Sequence, residues 1–218
     1  MKQLLLILSI VLFSQINVFS QEQSAYFQIG TSSESINDAM AEVKTALQNS
    51  GFKVIGEYQP GNTKNLAVVC YTHSELEKIA LEFSDRGSLA AALKVGFQKE
   101  GNSVKISMIN PMYLFYAYFI DGVEKHEKEL AKISNDAKTA MKNVGSEFTP
   151  FGGKLDKEKL QKYHYKVMMP YFKDAEELNK FDSFEDGLKV IQKNLASGKG
   201  NTQKVYELIY PDKKVAVF

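Results

Sequence analysis

The sequence predicts an α+β fold, a mostly antiparallel sheet backed by helices, and three observations predict it. Apolar residues recur at the helical period in some stretches and alternate at the strand period in others. Two pairs of strand-like runs are joined by turn residues tight enough for hairpins. Each stretch is closed by its own capping or turn residue, so the pattern is punctuated throughout.

The elements follow in chain order. Met1-Lys2 opens with positive charge, residues 4–13 are nearly all apolar, and Val18-Phe19-Ser20 offers a cleavage site before Gln21. This is the form of a secretory leader over residues 1–20, with an apolar core too short for a membrane span. The mature chain is therefore expected to be exported, periplasmic or secreted, with no membrane span. Ser35-Ile36-Asn37-Asp38 is a capping box, and Ile36, Ala39, Met40, Val43, Ala46 and Leu47 make one apolar stripe that ends at Gly51. A strand over 52–58, a turn at Pro60-Gly61-Asn62 and a strand over 66–71, apolar on both faces and so central, come next. Thr72 and Ser74, each with a Glu three residues on, start a helix that buries Leu76, Ile79, Ala80 and Phe83 and ends near residues 85–87. Leu93, Val95 and Phe97, then Val104, Ile106 and Met108, alternate with polar residues about a turn at 99–102 and form a hairpin with one wet face. Asn110-Pro111 caps and opens a short helix. Asp121-Gly122 breaks it, and a long Lys/Glu-rich helix with an apolar stripe from Val123 to Val144 is expected to lie across the sheet.

Gly145 ends that helix, giving a first domain over 21–145. Residues 146–153, with Pro150 and Gly152-Gly153, read as a linker to a C-terminal extension over 146–218. The extension reads β-α-β-β: a strand over 163–169, a helix opened by Asp182-Ser183, and a hairpin about Pro211-Asp212. Ser183-Phe184-Glu185-Asp186 matches Ser35-Ile36-Asn37-Asp38, and Leu188, Ile191 and Leu195 match Met40, Val43 and Leu47. A degenerate repeat of the first helix-strand-strand unit is one reading; the general likeness of amphipathic helices is the other.

Several residues carry a resemblance. The helix followed by Gly51-Phe52-Lys53-Val54-Ile55-Gly56-Glu57-Tyr58, the Glu100-Gly101 turn and Ser107-Met108-Ile109-Asn110-Pro111 together resemble the family called domain of unknown function three-zero-two, over residues 35–144. Thr72-His73-Ser74 and Ala91-Ala92 depart from its pattern. The resemblance implies a small α+β domain with an antiparallel sheet, often a homodimer, with no settled activity and no catalytic residue to carry over.

Composition narrows the function. Lys and Arg number 27 against 26 Asp and Glu, with no one-signed block, so a phosphate backbone finds little to attract it and nucleic acid is not an expected partner. The single arginine, Arg86, removes the usual bidentate clamp for anions. Cys70, the one cysteine, rules out an internal disulfide and lies in a buried-strand run where a thiol acts as a small hydrophobe. His73, His126 and His164 fall on three elements, so no metal or other cofactor is expected; His164 and Met168, if on a strand, would stand about 13 Å apart by its rise of ~3.3 Å per residue. No nucleophile elbow and no phosphate loop appears.

The remaining signal is aromatic. Tyr113, Phe115, Tyr116, Tyr118 and Phe119 crowd one short helix, and Tyr163, Tyr165, Tyr171 and Phe172 crowd the start of the extension. Either they pack as core, or they form a pocket in which Tyr113, Tyr116 and Tyr165, with His164, line a ligand site. The expected function is a non-catalytic binding module for an apolar small molecule or a protein partner. An enzyme whose site assembles only in space, or a structural or assembly domain, monomeric or homodimeric, are the alternatives.

Overall fold

Ser35 shows how closely local chemistry fixes the first helix. In the computed structural model, which describes residues 22–83, 86–172 and 174–218, its Oγ accepts from the Asp38 backbone N–H at 3.2 Å and donates to the Asp38 carboxylate at 2.6 Å. Helix α1 (Ile36–Asn49) then buries the six stripe residues, and Gly51 leaves it at φ 84°. Ser35→Ala is expected to cost about 1 kcal/mol, read as a shifted urea midpoint with an unchanged slope. The leader read over residues 1–20 lies outside the described residues.

The sheet has six strands in the order β2-β3-β4-β5-β1-β6. They are β1 (Gln23–Ser32), β2 (Lys53–Tyr58), β3 (Leu66–Thr72), β4 (Leu93–Glu100), β5 (Ser103–Ile109) and β6 (Thr149–Leu155). Every neighbouring pair is antiparallel. Ala67, Val69 and Tyr71, then Leu93, Val95 and Phe97, then Val104, Ile106 and Met108 all turn to the side where α1 and α4 (Glu127–Met141) supply the rest of the core. The α+β class and the antiparallel sheet are as the sequence predicts.

Helix α3 (Pro111–Tyr118) starts at Asn110, whose side chain accepts from the Met112 N–H at 3.2 Å and donates to the Ser24 carbonyl at 2.8 Å. It lies against β1, α4, a 3₁₀ turn over Gly87–Ala91 and α5 (Lys157–Gln161). Those neighbours on several sides account for a helix that is aromatic all round.

The structure departs from the sequence reading in several places, among them the end of helix α2 (Ser74–Ala80), which stops short of residues 85–87, and a short helix α5 that the reading lacks. Strand β1 has no counterpart there, although Tyr26 and Gln28 alternate with Phe27 and Ile29. Residues 146–153 are not a linker: they run into edge strand β6, and Gly152 and Gly153, at φ 83° and 85°, form a bulge opposite the step from Ser24 to Tyr26. The cap of helix α2 (Ser74–Ala80) is His73, whose Nδ1 accepts from the Glu75 N–H at 3.2 Å; Thr72 is still paired with Lys53 in the sheet. The stripe from Val123 to Val144 is not one helix, since a 3₁₀ turn over Val123–His126 precedes α4. Residues 163–169 form no strand. The Phe172 N–H donates to the Tyr163 carbonyl at 2.7 Å, and Met168 sits at φ 71°, so the chain doubles back. Its alternation is a local pattern, whereas a strand needs a partner edge.

The rest of the extension forms as helix α6 (Phe184–Ala196) and the hairpin of β7 (Leu208–Tyr210) and β8 (Val215–Val217), a separate sheet. Ser183 caps α6 with the geometry of Ser35, accepting from the Asp186 N–H at 3.1 Å. Without the leading strand the β-α-β-β unit is incomplete. The hairpin docks through buried Leu208 and Val217 and a 2.9 Å hydrogen bond from the Tyr210 hydroxyl to Glu77. Upstream of it, the chain crosses the far face of the sheet at Gly56, where a Cβ would stand 2.3 Å from the Val205 carbonyl oxygen.

Candidate functional site

Antiparallel pairing sets the face of the sheet away from α1 and α4. Tyr58, Val68, Gly96 and Ser107 stand opposite one another in a row across β2 to β5, and Tyr26 lies between Ile109 and Phe151 across β5, β1 and β6. Gly96 facing Ser107 keeps the middle of the row low, and large side chains rise around it. The result is a hollow of 460 Å³ lined by Tyr26, Tyr58, Leu66, Val68, Ile109 and Phe151. Tyr26 and Phe151 stack at 5.4 Å with 27° between their planes, although 43% and 44% of each is exposed. Lys94 and Lys105 are the charged side chains in the lining. Lys105 is tied to Glu100 at 3.1 Å, and Lys94 makes no ion pair among the described residues. Burial, with Cys70 and Tyr26 nearby, raises the Tyr58 pKa, so that phenol stays protonated.

A second hollow, of 1080 Å³, opens on the helix side, where α4 and α5 stand off from β1 and the edge strand β6. At one end Lys157 Nζ lies 2.5 Å from Glu124 and 3.1 Å from Glu127, and the Tyr116 hydroxyl donates to Glu127 at 3.4 Å. Burial pulls the Lys157 pKa down, but the bonds to Glu124 and Glu127 more than offset it and the net shift is upward. The same bond from Lys157 lowers the pKa of Glu124. The Tyr116 phenol is raised, first by burial and then by Glu127. At the other end Lys138 holds its Nζ 4.5 Å above the Phe27 ring, and burial lowers its pKa. Ser134, one helical turn before it, is 2% exposed and its Oγ has no hydrogen-bond partner among the described residues.

The structure does not gather the four residues that the sequence singles out. Tyr116 lines the polar hollow. Tyr113 is part-buried on the same helix, its pKa raised by burial and by the phenols of Tyr163 and Tyr26. His164 donates from Nδ1 to the Lys166 carbonyl at 2.7 Å and meets the Tyr171 ring at 5.1 Å, in a shallow recess with Met168 and Met169. Tyr165 is 71% exposed, with the Lys166 ammonium 5.5 Å from its ring. The two aromatic clusters meet edge-on at Tyr118 and Phe172, 4.9 Å apart, while Phe115 and Phe119 are core.

Sequence reasoning missed Tyr26, Phe151, Ser134 and Lys138. Alternation through residues 25–29 was the available signal for Tyr26; Phe151 lay inside the supposed linker, and Ser134 and Lys138 differ in no local way from their helix neighbours. Among the described residues no group of three or more His, Cys, Asp or Glu is placed to hold a metal ion, and no helix is long and apolar enough to cross a membrane.

No family model matches the chain, and no curated protein matches it. Among solved structures, a crystal structure of an uncharacterized conserved protein DUF302 from Bacillus stearothermophilus is similar, at 15% identity and a TM-score of 0.38, covering 55% of this chain and 92% of that one. It falls in the family that residues 35–144 resemble, and no site or activity is carried over from it.

Proposed function

We propose that the protein is an exported, non-catalytic binding module, periplasmic or secreted, that takes a small apolar molecule with an anionic end in the hollow on the far face of the sheet. One observation carries this reading: two stacked rings, each more than two-fifths exposed, flank an apolar floor whose charged lining among the described residues is Lys94 and Lys105, the second held by Glu100 at 3.1 Å. A ligand there would cover apolar surface that otherwise faces water and would meet Lys94 without opposing carboxylates. The leader form of residues 1–20 supports export.

The test uses anilinonaphthalene sulfonate, an apolar anion whose fluorescence reports burial. Tyr26→Ala combined with Phe151→Ala is expected to weaken its binding by about tenfold, the equivalent of ~1.4 kcal/mol. Lys94→Gln should weaken it less, and Tyr165→Ala should leave it unchanged. Unaltered affinity in the double variant would remove the hollow as the site.

A catalytic reading draws on Tyr116, Glu124, Glu127 and Lys157, which meet in a solvent-reachable hollow. Three of these groups argue the other way: Glu124 is held lower, Lys157 and Tyr116 higher, so each of the three moves away from neutrality, where a general acid or base is most useful. Ser134 and Lys138 have the spacing of a Ser–Lys pair, but among the described residues the Ser134 hydroxyl makes no hydrogen bond that would activate it.

A further inference from the structure

We propose that Ser134 and Lys138 form a second binding site, for the carboxylate of a small organic acid, at the α4 end of the polar hollow. Four residues apart on one helix, they face the same way, and both line the hollow. The Ser134 hydroxyl is buried and has no hydrogen-bond partner among the described residues. Native structures rarely leave a buried hydroxyl so, and this one, although its oxygen is closed to water, belongs to a residue in the wall of the hollow. The Lys138 ammonium is partly withdrawn from water, lies over the Phe27 ring, and makes no ion pair or hydrogen bond among the described residues. Lys157, in the same hollow, holds two carboxylates.

The contrast assigns the ligand's charge. An ammonium drawn into a cavity against its hydration, beside an unused hydroxyl, is complemented by an anion with two acceptor oxygens, and a cation would be repelled. Lys157 offsets one of the two charges of Glu124 and Glu127, and with Glu22, Glu158 and Lys154 the lining holds four carboxylates against three lysines, so an anion is drawn to the Lys138 end and not to the hollow as a whole. Phe27, Met112, Ala131 and Pro150 add apolar wall near the pair, so the acid would carry an apolar body. This site is separated by the sheet from the stacked rings of Tyr26 and Phe151 and does not depend on them.

Benzoate is the probe, titrated into the full mature chain and followed by saturation-transfer NMR. Saturable binding is expected in the wild type. Lys138→Met should weaken it about tenfold and Ser134→Ala about threefold, while Lys138→Arg, which keeps the charge and guards against a folding artefact, should keep it within about threefold. Ser134→Ala should also melt higher, since it removes an unpartnered polar atom. The double variant at Tyr26 and Phe151 should bind benzoate as the wild type does. Absence of saturable binding to the wild type overturns the proposal; so does full affinity in Lys138→Met, or affinity lost only in the double variant.

Discussion

Phe119→Ala is expected to cost about 3–5 kcal/mol, the range for emptying a packed aromatic site in a core. Phe119 is fully buried, and its ring lies between Phe83, 4.4 Å away at 15°, and Phe115, 5.6 Å away at 11°. Removing it leaves a void between two rings and unties α3 from the segment after α2. Ordinary domains have only about 5–15 kcal/mol in all, so the variant would be close to unfolding. Urea unfolding followed by circular dichroism gives the number. Tyr165→Ala, which removes a larger but exposed side chain, should fall within about 0.5 kcal/mol of the wild type. A loss under about 1 kcal/mol for Phe119→Ala would mean that the stack is not part of the core.

Gly56→Val should dislodge the chain that crosses the far face of the sheet. A Cβ at position 56 would stand 2.3 Å from the Val205 carbonyl oxygen and 3.0 Å from its carbon, and backbone has no rotamer by which to retreat. Cys70 pairs opposite Gly56, so both side-chain positions lie on that face, and Cys70 is fully buried. Burial raises its pKa, which Lys94 only partly counters, and the thiol should react slowly with a soluble disulfide reagent. In Gly56→Val the rate should rise by about tenfold or more, because local opening then exposes the sulfur. Equal rates in the two proteins would show that residues 201–207 do not protect it.

What the sequence made legible follows from how far apart the determinants lie. Ser35 with Asp38, and Asn110 with Pro111, settle their helices within a few residues, and the alternation on either side of Gly101 settles its hairpin. Strand β1 finds its partners in β5 and β6, far along the chain, and nothing near Tyr26 announces them. The converse case has the same cause: Tyr163, Tyr165 and Val167 alternate like a strand, but no strand among the described residues pairs with them. The candidate sites suffer most. Tyr26 and Phe151 become a pair only through register, and Lys138 is distinguished from the other lysines of α4 by the Phe27 ring beneath it, which belongs to another strand. The aromatic crowding of α3 was plain, yet its meaning was architectural, because a helix with neighbours on several sides must be apolar on several sides.

The place of β1 bears on how the protein reaches this fold. Gln23–Ser32 is the earliest described segment, yet Tyr26 pairs with Ile109 on one side and Phe151 on the other. This strand, which precedes both its partners in the chain, must wait for them, and each pairing closes a long loop at an entropic cost that local contacts cannot offset beforehand. Refolding should therefore be slow for a chain of this size, with α1 and the β4–β5 hairpin assembling ahead of a late insertion that completes the sheet.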